Sequence, residues 1–203
     1  MRVLIACEFS GAVRDAFRRR GHDAWSCDLL PSETDGPHYI CDVQDILGDG
    51  WDMMIAHPPC TYLASMGIWW NAKRPERWPL TFEALALADK LASAPIARIA
   101  VENPIGYLNR HWERFPNGPD QIINPWQFGH EANKPTCLWL KDLPRLVPTK
   151  LVGKGEFYIK ANGARMSKWS HVTSGTNKAK RAKIASRTFK GIADAMAEQW
   201  GQQ

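Results

Sequence analysis

Residues 51–64 read WDMMIAHPPCTYLA, an apolar run that meets two prolines and then sets Cys60 at the mouth of a turn. Four consecutive apolar residues, MMIA, read as an inner strand of a parallel sheet, because a strand covered on both faces loses the polar alternation of a half-exposed one. Open parallel sheets bind ligands in the crevice beyond the carboxyl ends of their strands. Cys60 therefore stands where such a fold does its chemistry.

The surrounding text repeats this pattern. VLIAC (Val3 to Cys7) reads as a first strand, followed by GAVRDAFRRRG with Val13, Ala16 and Phe17 at helical spacing and Gly21 as a stop. DAWSCDLL and HYICDV read as the second and third strands, WDMMIA as the fourth and ARIAVENP as the fifth. Between the last two, a Trp-rich loop precedes a helix over 81–93 with Phe82, Leu85, Ala86 and Leu91 on one face. The segment 106–124, broken by Pro116, Gly118 and Pro119, reads as a loop-rich excursion, CLWLKDLP as a further strand, and GIADAMAEQW as a terminal helix facing inward with Ile192, Ala195, Met196 and Trp200. Strands alternating with helices predict an α/β chain with a Rossmann-like, doubly wound, mostly parallel sheet.

Bulk composition agrees. A chain of 203 residues with 44% hydrophobic and 23% charged residues and ten tryptophans is that of a packed globular protein. Its length suits one domain with appendages rather than two large ones. The apolar core VLIA near the start is too short for a signal sequence or a membrane span. Five scattered cysteines without a CxxC pair suit free thiols in a reducing cytoplasm, not a disulfide scaffold or a zinc module. The net charge of +5 is compatible with a polyanionic partner and does not require one.

Three strand ends carry candidate ligand groups. Gly11 follows the first strand and opens a helix, where a nucleotide-like ligand can approach the backbone. Asp28 ends the second strand 17 positions later, close to the offset of about 20 at which an acid binds ribose hydroxyls in Rossmann-type sites. Asp42 ends the third in the same way; the plainer reading makes both acids turn or N-cap residues. The fourth strand ends in His57-Pro58-Pro59-Cys60 and the fifth in Val101-Glu102-Asn103-Pro104, so a thiol and a carboxyl face one pocket. A thiolate can add to C6 of a pyrimidine while a carboxyl bonds N3 and the exocyclic amine, which makes C5 nucleophilic. Taken singly, Cys60 also reads as an inert buried thiol, Glu102 as an exposed strand end and His57 as structural.

The succession F-S-G (Phe9 to Gly11), Asp28, Asp42, P-P-C (Pro58 to Cys60) and V-E-N (Val101 to Asn103) resembles the DNA (cytosine-5) methyltransferases over roughly the first 105 residues. The resemblance implies a methyltransferase-type fold of class I and S-adenosylmethionine as methyl donor. It sets Phe9 against adenine, Asp28 at the ribose, Asp42 at the adenine amine, with Gly11 and Pro58 beside the donor, Cys60 as nucleophile and Glu102 as the N3 partner. It also divides the chain: a donor-binding and catalytic core at 1–105, and a loop-rich remainder at 106–203 within one methyltransferase-like domain. Gly67 resembles the glycine of the family's mobile catalytic loop. The departures are Val13 for a second glycine, Thr61 for a glutamine after the nucleophile, and Lys134 and Thr136 where two arginines are expected. The family's sequence-reading domain has no counterpart beyond a short basic run, Lys178 to Lys190.

With Asn103, Lys134 and Thr136 beside the base, the implied substrate is DNA, single-stranded or read with little sequence preference. Trp69, Trp70 and Arg74, with Lys73, Arg77 and Trp78, interleave rings and cations as single-strand binders do. The same cluster also reads as a packing surface with solvated charges. Three alternatives stay open: methylation of a free pyrimidine nucleotide, methylation of an exocyclic amine, and a degenerate chain that only binds nucleic acid. Among His, Cys and carboxylates no metal-ligand spacing is evident.

Overall fold

The structure, a computed structural model, describes residues 1–159, 161–168 and 183–202. The stretch MMIA forms β4 (Met53–Ala56), and all four side chains are buried. It lies beside β1 (Arg2–Ala6) and β5 (Arg98–Pro104) in a seven-stranded sheet of order β3-β2-β1-β4-β5-β7-β6. The remaining strands are β2 (Asp23–Asp28), β3 (His38–Ile40), β6 (Gln121–Ile123) and β7 (Thr136–Lys141). Pairing is parallel from β3 through β5, and β7 runs antiparallel to both β5 and β6. The fold is thus the doubly wound, mostly parallel α/β class that the sequence pattern predicts. After β1 the chain builds outward through β2 and β3, then crosses to β4 on the other side of β1. The switch point lies between the tips of β1 and β4, where such sheets open a crevice.

Strand alternation divides the core in two. Leu4, Ala6, Met54, Ala56, Ile99 and Val101 face one layer, completed by Ala88, Leu91 and Ala92 of α3 (Trp78–Ala92) and by Trp51, Trp112 and Trp139. Val3, Ile5, Met53, Ile55 and Ala100 face the other, covered by α1 (Ala12–Arg19) and the terminal α5 (Lys190–Trp200). The expected inward residues of α1 and α5 are all buried. On α3 the expected face is rotated: Leu91 is buried, whereas Phe82 is exposed and stacks on Trp78 at 5.8 Å. The helix starts three residues earlier than its apolar spacing suggests, and Thr81 takes the inward place.

The Trp-rich segment is not a loop. It forms α2 (Ser65–Lys73) and a 3-10 turn at Pro75–Arg77. Its periodicity is hidden because the bulky side chains Met66, Trp69 and Trp70 face solvent while Gly67 and Asn71 face inward. The excursion after β5 contains α4 (Leu108–His111) and β6, and β8 (Phe157–Ile159) pairs with β9 (Arg165–Ser167) as a small hairpin. Among the described residues no helix is long and apolar enough to cross a membrane.

Candidate active site

Register sets the first half of the site. Ala56 pairs with Val101, so the next residues, His57 and Glu102, emerge side by side from neighbouring tips. Two prolines then end the ladder, since neither can donate a backbone N–H. Cys60 opens a turn whose carbonyl accepts from the amides of Leu63 and Ala64 at 3.1 and 2.8 Å. That turn is sewn to the loop after β5: Ala64 bridges Gly106, and the Tyr107 amide donates to the Leu63 carbonyl at 2.7 Å. A Cβ on Gly106 would lie 2.0 Å from the Leu63 oxygen, so the contact requires glycine. Gly67 sits inside α2, where a Cβ would stand 2.3 Å from the Thr61 carbonyl. It serves close packing against the Cys60 turn rather than a hinge.

The antiparallel partner β7 brings up a second set. Thr136 pairs with Pro104, and Leu138 with Glu102, which carries Lys134 and Thr136 to the same corner. His57 Nδ1 lies 3.0 Å from Glu102 Oε2, with side-chain exposures of 7% and 16%. Burial pushes the Glu102 carboxyl up, but the His57 hydrogen bond and charge, then the Lys134 ammonium and the Thr136 hydroxyl, hold it below its ordinary value. Glu102 therefore stands as an anion at neutral pH. Burial and then the Glu102 charge push the Cys60 thiol up, and the Lys134 ammonium offsets part of this. Asn103 Nδ2 donates to the Pro58 carbonyl at 2.8 Å, and Lys134 Nζ donates to the Ala185 carbonyl at 2.7 Å. His57 Nε2 and Asn103 Oδ1 are buried and make no hydrogen bond.

On the other side of the switch point, Cys7 follows β1 in a left-handed conformation with φ 58°. Its thiol is pushed up to about 12, by burial first and then by the charges of Asp28 and Asp42. Each also serves its own turn. Asp28 Oδ1 accepts from the Leu30 amide at 2.9 Å, and Asp42 accepts from the Gln44 amide at 2.9 Å and from its side chain at 3.1 Å. Leu29 and Leu30 lie exposed beside Asp28, giving it an apolar flank.

The first loop is built differently from the glycine-rich turn that the family pattern suggests. Glu8, 4% exposed, turns its carboxylate onto the start of α1 and accepts from the amides of Val13 and Arg14 at 2.8 and 3.2 Å. Gly11 has φ 73°, and a Cβ there would meet Thr34 Oγ1 at 2.2 Å. Phe9 is nearly buried, with Lys183 Nζ 5.5 Å from its ring centroid. Lys183 and Arg187 form ion pairs with Glu33 at 2.9 and 2.8 Å, and Lys190 pairs with Asp194. These three members of the basic run are thus engaged within the protein; Lys178, Lys180 and Arg181 lie outside the described residues.

Trp69 and Trp70 are 50% and 40% exposed on α2, with Lys73 Nζ 4.4 Å from the first ring and Arg74 Cζ 5.3 Å from the second. They stand on the exposed side of α2, the helix that follows the Cys60 turn. Sequence reasoning passed over Glu8 and Arg14 and took His57 for a structural residue. His57 was legible from register, since the first residue beyond β4, not the fourth, neighbours the first beyond Val101. Glu8 and Arg14 carried no such sign.

No protein-family model and no curated protein matches the chain. Among solved structures, the chain is similar to a candidate DNA modification methyltransferase encoded within an E. coli prophage, with 14% identity and a TM-score of 0.49. The likeness covers 75% of this chain and 52% of that one, so the chain spans about half the length of that protein.

Proposed function

We propose that the chain is an S-adenosylmethionine-dependent methyltransferase acting at C5 of cytosine in DNA through a covalent bond to Cys60. The observation that carries this reading is the corner that strand register builds, where Glu102 lies beside the His57–Cys60 turn and the approach to β7 brings in Lys134. It combines a thiol, a carboxylate held ionised and a fixed cation. In the addition step the Cys60 sulfur bonds C6 and its proton passes to Glu102. The C5=C6 pair shifts to C4–C5, and the former C4=N3 pair takes that proton on N3. Glu102 thus moves one proton, no charge is created, and C5 becomes the nucleophilic atom. Lys134 suits the cytosine O2 as a donor, in place of an arginine. After methylation at C5, the C5 proton leaves to solvent, the pair re-forms C5=C6 and expels the Cys60 thiolate, and the N3 proton returns through Glu102 to the sulfur.

Asp28 and Asp42, at the ends of the neighbouring strands β2 and β3, fit the ribose hydroxyls and adenine amine of S-adenosylmethionine, and Leu29 and Leu30 supply an apolar flank. Phe9 and Gly11 are packed by Lys183 and Thr34, so they fit less directly. The donor, when bound, supplies an electrophilic methyl group. In this reading the core at 1–105 is completed by Lys134 and Thr136 from 106–203, within one domain.

DNA reaches Cys60 along α2, where Trp69, Trp70, Lys73 and Arg74 offer stacking faces and cations to an unpaired strand. A second reading, methylation of a free deoxycytidine nucleotide, gains support from the pairing of Lys183 and Arg187 with Glu33, which withdraws two cations from phosphate contact. The test incubates the protein and donor with a single strand, the matching duplex and dCMP, followed by mass spectrometry of nucleosides. 5-Methylcytosine in the single strand at least as fast as in the duplex is expected. Activity on dCMP alone overturns the DNA substrate. A strand with fluorine at C5 cannot release a proton there, so it traps a covalent adduct that Cys60→Ala abolishes. Methylation that survives Cys60→Ala overturns the mechanism in favour of amine methylation, and a folded protein that binds strands without methylating anything leaves only a binding role.

A further inference from the structure

Glu102 has two oxygens, and His57 holds one of them. His57 Nδ1 holds Oε2 at 3.0 Å in a corner where both side chains are largely buried. The titratable groups around the pair come from three places: His57 and Cys60 from the turn after β4, Glu102 from β5, and Lys134 and Cys137 from the approach to β7 and its second residue. A carboxylate free to rotate would offer either oxygen at any angle, whereas one pinned through Oε2 presents Oε1 in a single orientation.

We propose that His57 is a positioning residue for Glu102: its Nδ1–H fixes the carboxylate through Oε2, so that Oε1 faces the amine edge of the incoming base and can pass the Cys60 proton to its N3. This rests on the methyltransferase reading of the same corner. The sequence HPPC therefore couples two roles, because the residue that orients the acid stands three positions before the nucleophile on one rigid turn. No proton leaves His57 in the step. The Cys60 proton travels through Glu102 to N3 while Nδ1–H stays on Oε2.

The sign of the pH effect follows from the balance at Glu102. Burial raises its pKa and the imidazole lowers it, so removing the imidazole leaves burial to act against Lys134 and Thr136 alone. Glu102 then protonates at a higher pH, and the acid limb of activity moves up. The experiment measures the rate of adduct formation on the C5-fluorinated strand against pH for wild type, His57→Ala, His57→Asn and Glu102→Gln. His57→Ala is expected to slow adduct formation by roughly tenfold to a hundredfold at neutral pH and to shift the acid limb upward. His57→Asn, whose amide can donate to Oε2 without a charge, recovers part of the rate but keeps an upward shift. Glu102→Gln shows no acid limb from this site. If His57→Ala fails to fold by circular dichroism, the His57→Asn profile decides. A profile superimposable on wild type overturns the positioning role while the methyltransferase reading stands; absence of any adduct with wild type overturns both.

Discussion

At the scale of the residue, the chemistry of Cys60 is set by two opposing neighbours. Glu102 raises its thiol and Lys134 lowers it, with burial raising it further, so the resting sulfur is a protonated thiol rather than a standing nucleophile. A thiol held protonated reacts slowly with electrophiles, because the thiolate is the nucleophilic form. Peptide-resolved alkylation by iodoacetamide at pH 8 measures this directly. Wild-type Cys60 is expected to react more slowly than a free thiol, Glu102→Gln to accelerate it and Lys134→Ala to slow it. Equal rates in the two variants would refute the charge balance. At the opposite tips, Asp28→Ala is expected to weaken S-adenosylmethionine binding by about 1.5–3 kcal/mol, the worth of a charged hydrogen bond, measured by calorimetry. Wild-type protein that is folded and binds no donor would remove the donor reading altogether.

At the scale of the element, helix α1 shows why its inner side could not be read from hydrophobicity. Val13, Ala16 and Phe17 announced an apolar face, yet Arg14 beside them is fully buried. Its guanidinium donates to Asp15 at 2.8 Å, to Ser26 and Ser32 hydroxyls at 3.2 and 3.0 Å, and to the Thr34 hydroxyl and Asp35 carbonyl at 2.6 and 3.1 Å. A buried cation is tolerable only when fully paired, and three of these partners, Ser32, Thr34 and Asp35, belong to the loop after β2, whose path the sequence does not declare. Arg14→Met is expected to destabilise the protein by about 3 kcal/mol or more, and Glu8→Ala, which strips the cap from α1, by about 0.5–2 kcal/mol, both by urea denaturation. A Glu8→Ala loss no larger than that of a surface substitution would show that the carboxylate does not cap the helix. Gly106→Ala belongs here too. Its Cβ would collide with the Leu63 carbonyl, part the two tip loops and displace Cys60, so a rate loss of about a hundredfold is expected with donor binding retained.

At the scale of the whole molecule, the winding of the sheet was legible because buried strands and amphipathic helices announce themselves by period: MMIA became the inner strand β4, and the strand tips came together as predicted. What was not legible depended on partners distant in sequence. α2 hid because its large side chains face water and its inner ones are glycine and asparagine, while the basic run looked free until Glu33, some 150 positions earlier, was seen to hold Lys183 and Arg187. The same redistribution of charge makes a quantitative claim about DNA. If phosphate contacts come from Lys73 and Arg74 on α2 and not from Lys183 and Arg187, their counts enter the salt dependence separately. Each phosphate contact on a single strand contributes about −0.7 to the slope of log K against log salt. Lys73→Ala with Arg74→Ala is therefore expected to flatten the slope by about 1.4, whereas Lys183→Ala with Arg187→Ala leaves it unchanged. Fluorescence anisotropy titrations on an oligonucleotide from low to moderate salt measure both. A slope that flattens only when Lys183 and Arg187 are removed would mean that the Glu33 pairs open to receive the strand, and the path along α2 would then be wrong.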